Sequence, residues 1–574
     1  MKDPLQYLFI DNSDLRNTLF LTLTGRIDVP FIKGLSYDFN YSNTLYHRDN
    51  NSFYPGDLDG GYINNGKAVK APENESAYLF NHIFSYQRSF GDHAVNATFV
   101  YTTEKRWGDT TTATAESFDI ENLGYNNLSL GTLFTEESSA WQESNIGLMG
   151  RVNYNYKNRY LLTATVRRDG YSGFGSNNKY VTLPSASIGW VISEEGFNPF
   201  KSTYLKLRLS YGQNGNQGIG RYASLASLGV GAYNYDDNKV ISLYPSSMAN
   251  NDLKWERTAS WNFGFDFGFF NQRLNGSFEV YKSHTKDVLV QRTLPDITGY
   301  NSVWANLGGV DNKGFEIELN SRNIQNRNFN WSSGFTFSLN RDKITDLYGD
   351  GTMQDLNNGW FVGESISAIY SYEMLGIWQE EDLYSGEIYE GWYPGQQKFA
   401  DLNNDGKIDA ENDRKIIGNS NPSCRFSFNN TLSWNNWSLY FMLNSMLGGG
   451  GYYIAGNGAL LPENSSDSVV RRNQPSTRKY WTPENRANDA VAIYSNQLIS
   501  TNIYQSRSFV RLQDISLMYT FDKSLLQKTG VIGQLQLFLT GKNLYTFTGW
   551  QGWDPEYTGF PLTRSIQFGI KLSL

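Results

Sequence analysis

Residues 146–192 read IGLMGRVNYNYKNRYLLTATVRRDGYSGFGSNNKYVTLPSASIGWVI, and this stretch shows the pattern of the chain most clearly. It contains three segments in which apolar and polar residues alternate, and side chains of a β-strand point to opposite faces with the same period of two. The apolar positions are Ile146, Leu148, Val152, Tyr154 and Tyr156, then Tyr160, Leu162, Ala164 and Val166, and finally Ala186, Ile188, Trp190 and Ile192. The stretch therefore predicts three successive strands, each with one apolar and one polar face.

Two connections of unequal length join these strands. A short turn around Lys157 and Asn158 joins the first two, whereas a polar segment from Arg168 to Tyr180, rich in glycine and serine, joins the next two. Short turns at one end of a sheet and long loops at the other are typical of outer-membrane β-barrels. A soluble antiparallel sheet shows the same alternation on its core-facing side, so this stretch alone leaves both folds open.

The same alternation recurs along most of the chain, for example in residues 19–29, 261–269 and 566–574. It predicts roughly 16–18 strands, whereas helical periodicity is confined to a short turn near residues 522–528. Turns of about two to five residues alternate with long polar segments. The long segments are residues 49–76, 108–138, 213–255, 348–421 and 447–508. This asymmetry favours an all-β fold: a transmembrane antiparallel β-barrel with short periplasmic turns and long extracellular loops.

Composition excludes several classes of protein. The chain has 574 residues, of which 39% are hydrophobic, and no apolar run approaches the ~18 residues that a transmembrane helix needs. The net charge of −8 argues against nucleic acid as a partner, and the single Cys424 excludes an internal disulfide framework. The N-terminus has no basic and apolar export signal, so the chain is expected to be either cytoplasmic or part of a longer protein.

A series of short motifs follows a fixed order along the chain. They are residues 154–163 (YNYKNRYLLT), 167–170 (RRDG), 174–175 (FG), 183–185 (LPS), 189–190 (GW), 205–208 (LKLR), 211–217 (YGQNGNQ), 253–258 (LKWERT), 306–316 (NLGGVDNKGFE), 401–409 (DLNNDGKID), 509–512 (FVRL), 543–545 (NLY) and 553–556 (WDPE). Together they resemble the SusC/RagA-type TonB-dependent outer-membrane transporters, and the resemblance covers most of the chain.

The resemblance implies a barrel of about 22 strands, closed by an N-terminal plug domain and driven by TonB with ExbB and ExbD through an N-terminal box. The chain is then expected to be the C-terminal part of the barrel, residues 1–574, without plug, TonB box or signal peptide. Its place would be the cell outer membrane, in contact with lipid, and a SusD-like surface lipoprotein would cover the long loops. The family tends to end in an aromatic residue, whereas this chain ends in Leu574.

One acidic loop has the oxygen-rich spacing of a calcium site. Hard oxygen ligands at alternate positions, with a glycine at the sharp turn, are what Ca²⁺ requires. The candidate ligands are Asp401, Asn403, Asp405, Lys407 through its carbonyl oxygen, Asp409 and Asp413. A structural Ca²⁺ is therefore the only cofactor considered, and the alternative is an Asp/Asn/Gly turn that binds no metal.

Aromatic residues in the long segments are candidates for contact with a sugar ring or with the lipoprotein lid. They are Tyr233, Tyr235, Trp360, Trp378, Trp392, Tyr393, Tyr452, Tyr453 and Trp550. Packing within the loops or at a membrane interface would use the same residues. Catalysis finds no support, since the four histidines are scattered without ligand spacing, and the chain is not expected to be an enzyme.

Three functions remain open from the sequence. The resemblance favours import of glycans, or of peptides, across the outer membrane together with a SusD-like lipoprotein. The alternatives are an outer-membrane adhesin or binding barrel without transport, and a soluble carbohydrate-binding β-protein.

Overall fold

The computed structural model describes residues 8–56, 65–197, 203–235, 238–300, 302–452, 479–488, 491–492, 504–550, 552, 554–557 and 562–573. Within them the chain forms 29 strands and two short helices. The strands are β1 (Asp11–Asp28), β2 (Leu35–Tyr54), β3 (Lys67–Phe90), β4 (His93–Phe118), β5 (Gly131–Tyr156), β6 (Tyr160–Tyr171), β7 (Tyr180–Val191), β8 (Tyr204–Asn216), β9 (Ser227–Tyr235), β10 (Asn238–Ser247), β11 (Glu256–Phe269), β12 (Leu274–Lys286), β13 (Leu289–Thr293), β14 (Ser302–Asn306), β15 (Gly309–Gln325), β16 (Phe329–Asp346), β17 (Gln354–Asp355), β18 (Trp360–Phe361), β19 (Ala368–Tyr372), β20 (Met374–Ile377), β21 (Gln397–Phe399), β22 (Arg414–Asn419), β23 (Pro422–Trp434), β24 (Trp437–Gly448), β25 (Gly450–Tyr452), β26 (Tyr504–Ser506), β27 (Phe509–Thr520), β28 (Gln534–Thr548) and β29 (Ser565–Ser573). The helices are α1 (Glu380–Ser385) and α2 (Lys523–Leu526).

Seventeen of the described strands belong to one large antiparallel sheet, which confirms the predicted 16–18 strands and the all-β fold. These strands are β1–β8, β11, β12, β15, β16, β23, β24 and β27–β29. The other twelve strands form two-stranded pairs within the long connections. No helix in the described part of the chain is long and apolar enough to cross a membrane.

The chain divides into two compact units. Unit 1 comprises residues 1–190, 209–260 and 285–307, and it holds the consecutive antiparallel pairs from β1 to β7. Unit 2 comprises residues 191–208, 261–284 and 308–574, and it holds the antiparallel run β15, β16, β23, β24, β27, β28 and β29.

Short and long connections alternate within each unit, as the sequence predicted. In unit 1 the short ones are residues 29–34, 91–92 and 157–159, and in unit 2 they include residues 270–273, 326–328 and 435–436. Lys157 and Asn158 take positive φ values of 54° and 56°, as a tight hairpin turn requires. The helical turn predicted near residues 522–528 is present as α2 and the 3₁₀ turn that follows it.

Two of the predicted loops, residues 49–76 and 108–138, are largely strand instead. The ladder between β4 and β5 continues past Gly108, paired with Trp141, as far as Phe118, paired with Gly131. Each of these strands has 26 residues, or about 86 Å at ~3.3 Å per residue. Only 9–11 residues of each strand are needed to cross a bilayer. Outside the bilayer no lipid selects apolar side chains, so the apolar alternation stops there while the threonine-rich ladder between β4 and β5 continues.

The apolar face of the large sheet is exposed rather than buried. Trp261 and Phe263 of β11 are 55% and 44% exposed, and Phe568 of β29 is 69% exposed. Four clusters of buried hydrophobic side chains instead lie in or beside the long connections. A soluble sheet has the opposite arrangement, whereas a sheet surrounded by lipid shows this one.

Aromatic side chains gather where strands meet the short turns. Tyr156 and Tyr160 stack across one turn with ring centroids 6.3 Å apart. At the turn of residues 435–436, Trp434 and Trp437 are exposed, and Trp437 packs on Tyr519 at 4.8 Å. Amphipathic rings at this level form the girdle that marks a membrane interface.

Candidate functional site

The polar face of unit 2 carries an ion cluster built from three neighbouring strands. The Arg208 guanidinium donates to both carboxylate oxygens of Asp266, at 2.9 and 2.7 Å, and to Oε1 of Glu279 at 2.8 Å. The second oxygen of Glu279 accepts from Asn262 at 3.0 Å. A Cβ at Gly264 would lie 2.8 Å from the Arg208 Cζ, so glycine leaves room for the guanidinium. This face is suited to water or a polar partner rather than to lipid.

A groove of about 480 Å³ continues this polar face. Its lining includes the carboxylates of Glu279, Glu316 and Glu318, one cation, Arg425, and the amide of Gln513. The groove can therefore bind hydrated or hydroxyl-bearing groups through hydrogen bonds.

Two long connections of unit 2 fold together into a packed body, which we call the loop body and define as residues 347–421 and 479–488 with 491–492. One core is formed by Trp378, Trp392 and Phe399, and a second by Ile377, Trp481 and Val491. The second core joins the two connections, because Ile377 comes from the first and the other two residues from the second.

Hydrogen bonds fix this junction. The Ile377 N–H donates to Oδ1 of Asn488 at 2.8 Å, and the Trp481 indole N–H donates to Oε1 of Gln379, also at 2.8 Å. Gly386 ends α1 in the left-handed region, with φ of 77°. The loop body thus presents a defined surface, on which Tyr384 is 83% exposed.

A third connection, between β28 and β29, is held by a buried ion pair. Arg511 is 1% exposed and donates to both oxygens of Asp554, at 3.0 and 2.8 Å. It also donates to Glu556 at 3.2 Å and to the Thr546 hydroxyl at 3.1 Å. Its guanidinium carbon lies 4.6 Å from the centre of the Phe509 ring. This connection is therefore fastened to β27.

The aromatic candidates fall into two groups. Trp378, Trp392 and Trp550 are buried, so their rings pack the connections and are not available to a ligand in this structure. Tyr233, Tyr235 and Tyr393 are exposed and Trp360 is half-buried, whereas Tyr452 lies in β25. Tyr453 lies outside the described residues. Contact with cargo or lipoprotein stays a prediction for the exposed tyrosines.

The acidic loop is held by its own hydrogen bonds. Asp401, Asp405 and Asp409 each accept backbone N–H groups of the same loop. The fully buried Asp413 accepts the N–H of Leu402 and that of Asp409, both at 2.8 Å. Among the described residues no three His, Cys, Asp or Glu side chains form a group that could hold a metal ion. Calcium at Asp401, Asn403, Asp405, Lys407, Asp409 and Asp413 stays a prediction.

Hydrogen bonds to the carboxylate also set the acidity of this loop. The N–H of Asn412, followed by its side-chain amide, holds the pKa of Asp409 below the usual value of 3.8. The loop is therefore organised around ionised Asp409 at neutral pH.

The sequence did not single out the residues of the two ion clusters as functional. Arg208 lies in the motif LKLR, Arg511 in FVRL and Asp554 in WDPE. Membership in these motifs was the one feature of the sequence that could have pointed to them. The motif LKWERT likewise meets the start of NLGGVDNKGFE, since Lys254 N–H donates to Oδ1 of Asn306 at 2.8 Å.

Comparison with known proteins gives one consistent family. A family model described as TonB dependent receptor-like, beta-barrel, matches residues 3–544. TonB-dependent receptor P3 of Formosa agariphila is 33% identical over 94% of this chain and 57% of its own length. TonB-dependent receptor SusC of Bacteroides thetaiotaomicron is 30% identical over 76% of this chain and 44% of its own length. The chain thus spans about half the length of these curated relatives.

Solved structures show the same fold. The RagAB peptide importer in its open-open state matches with a TM-score of 0.85 at 24% identity, over 100% of this chain and 62% of that chain. Another structure of the RagAB peptide transporter matches with a TM-score of 0.83 at 24% identity, over 99% of this chain and 63% of that chain.

Proposed function

The chain belongs to the TonB-dependent receptor-like β-barrel family, whose members are outer-membrane proteins, and on that basis we propose that it forms the wall and outer loops of a nutrient importer. The imported cargo is a glycan, with a peptide as the second candidate. TonB, with ExbB and ExbD, supplies the energy, and a SusD-like lipoprotein covers the long connections.

The observation that carries this proposal is the distribution of apolar and polar groups over the large sheet. The apolar face is exposed, which suits lipid, while the opposite face carries the Arg208, Asp266 and Glu279 cluster and the acidic groove. A wall with one face for lipid and one for hydrated groups is what passage of a polar cargo requires.

The loop body supports the proposed lipoprotein partner. Its two hydrophobic cores keep it folded, so it offers a preformed surface rather than a loose loop. The exposed Tyr384 and Tyr393 place aromatic rings on it, and such rings are enriched at protein interfaces.

Deleting the gene that encodes this chain, in its native bacterium, tests import. The proposal predicts loss of growth on one glycan or peptide class and the same loss in a strain without TonB. Growth that persists on every class, with loss of surface attachment instead, would contradict import and favour the adhesin.

Co-purification tests the lipoprotein. Replacing Tyr384 by alanine should reduce recovery of the lipoprotein with the transporter, whereas Phe31→Ala, at an equally exposed site in a short connection, should not. Equal recovery with both variants would remove this surface from the proposal.

A further inference from the structure

A cavity of about 270 Å³ lies in unit 1, between β5 and two long connections. Eleven of its fourteen lining residues are polar or charged, and four of them are serines. Its volume is near the lower end of the ~300–1,000 Å³ found for ligand cavities, so it suits one ring-sized unit rather than a long chain.

Hydrogen bonds to β5 fix two sides of this cavity. The Gln142 N–H donates to the hydroxyl of Tyr222 at 2.8 Å, and the Ser144 N–H donates to the hydroxyl of Ser172 at 3.0 Å. The connection between β6 and β7, which contains Ser172, is bonded in turn to the connection between β10 and β11, because the Asn177 N–H donates to the carbonyl of Asn251 at 3.2 Å. The cavity is therefore preformed, and a ligand does not have to order it.

Three cations and one carboxylate line the cavity: Lys105, Lys179, Arg221 and Glu143. Glu143 is already neutralised, because Arg221 lies 3.1 Å and Arg106 lies 3.4 Å from its oxygens. Within the described residues neither lysine ammonium has a carboxylate within ion-pair distance, and the Lys105 ammonium lies 5.7 Å from the centre of the Trp107 ring. The lining is thus positive by two charges on a chain whose net charge is −8.

Resting on the proposed import of glycans, we propose that this cavity binds one anionic sugar unit of the cargo, through a carboxylate or sulfate group. Lys105 and Lys179 pair with the oxyanion, and the serine hydroxyls with Asn251 bind the ring hydroxyls. A charge-assisted hydrogen bond is about twice as strong as a neutral one, so the two lysines dominate selectivity for anionic over neutral sugars.

The lining favours a sugar over an acidic peptide. Phe174 and Leu225 are the apolar side chains among the lining residues, and Phe174 is 1% exposed because it belongs to a buried hydrophobic cluster. Dense hydroxyl and amide groups match a ring that carries a hydroxyl on most carbons, whereas an acidic peptide presents few hydroxyl groups for them to bind.

Calorimetric titration of the protein in detergent tests the assignment with four probes: galacturonate, galactose, inorganic sulfate and the tripeptide Ala-Asp-Ala. We expect galacturonate to bind at least about tenfold more tightly than galactose, since a hydrogen bond to a charged group contributes ~1.5–3 kcal/mol. Equal affinity for galactose, or equal or tighter binding of sulfate or of the tripeptide, would overturn the sugar subsite.

Variants locate the binding. Lys105→Gln and Lys179→Gln should each weaken galacturonate binding by about tenfold, whereas Lys179→Arg should retain most of it. Lys528→Gln, at an exposed lysine after α2, is the matched control and should bind as the wild type does. If the folded Lys105→Gln protein binds galacturonate with unchanged affinity, the assignment is overturned. The Lys105→Gln variant gives this answer even if Lys179→Gln fails to fold. If glycan uptake depends on the gene and on TonB but the protein does not bind galacturonate, the sugar site is wrong and the proposed import function is retained.

Discussion

Replacing Arg511 by methionine should release the connection between β28 and β29. The substitution keeps an unbranched apolar stem but removes the guanidinium, which leaves the carboxylate of Asp554, 7% exposed, without its cationic partner. Breaking a buried ion pair by removing one partner destabilises by ~3–5 kcal/mol, because the remaining charge stays desolvated. Opening of this connection should therefore become at least about a hundredfold more favourable.

Hydrogen exchange in the folded protein measures this opening. The N–H groups of Glu556 and Tyr557 donate to Oδ1 of Asp554, at 2.8 and 3.1 Å, and these bonds do not involve Arg511 directly. Faster exchange of both amides in Arg511→Met would thus report release of the whole connection.

An exposed ion pair provides the matched control. Arg486 pairs with Glu381 in the loop body, and their side chains are 56% and 57% exposed. Arg486→Met should change local opening by no more than ~1 kcal/mol, since solvent screens such pairs. If Arg511→Met exchanges no faster than Arg486→Met, the buried pair does not hold this connection and the reasoning fails.

Three further predictions concern the membrane face and the acidic loop. Val166→Arg on the apolar face should lower the free energy of unfolding in lipid vesicles by ~2–4 kcal/mol, as measured by urea titration. Thr163→Arg on the polar face should lower it clearly less. Equal losses of stability would contradict the assignment of the two faces. The pKa of Asp409 in the folded protein lies below 3.8, so the hydrogen bonds to its carboxylate stabilise the loop above pH 3.8, and this stability is lost as the pH falls through the folded pKa. The N–H resonance of Asn412 should therefore titrate below pH 3.8. A midpoint at or above pH 3.8 would show that these hydrogen bonds do not lower the pKa of Asp409. If the acidic loop binds Ca²⁺, a calcium titration should raise the thermal stability of the wild type and not of Asp401→Ala, and no shift in the wild type would remove the metal.

The sequence predicted the strands wherever lipid imposes a pattern. Trp434 and Trp437 flank a short turn of the predicted length, and the exposed apolar face follows the predicted alternation. The prediction failed where lipid imposes nothing, as in the outer half of β5, whose serines, threonines and glutamates pair with β4 without alternating. Strand pairing there is decided by the partner strand rather than by local hydrophobicity.

The site residues were harder to predict, because their partners are distant in the chain. Arg511 and Asp554 are 43 residues apart, and Trp481 meets Gln379 across 102 residues. A single sequence carries no signal for such pairs beyond the motifs that contain them. For the same reason Trp378 and Trp392 could not be told from exposed, ligand-binding aromatics until the loop body was seen to bury them.

In the proposed arrangement lipid contacts the apolar face of the sheet, and a spin-label scan measures that contact residue by residue. Cys424 is the single cysteine of this sequence, so after its replacement by serine one label can be placed at each of residues 148–156 of the protein in bilayers. Accessibility to oxygen, which partitions into lipid, should oscillate with a period of two, with maxima at Leu148, Val152 and Tyr154 and minima at Met149 and Asn153. Maxima at the polar positions, or no oscillation, would contradict the account.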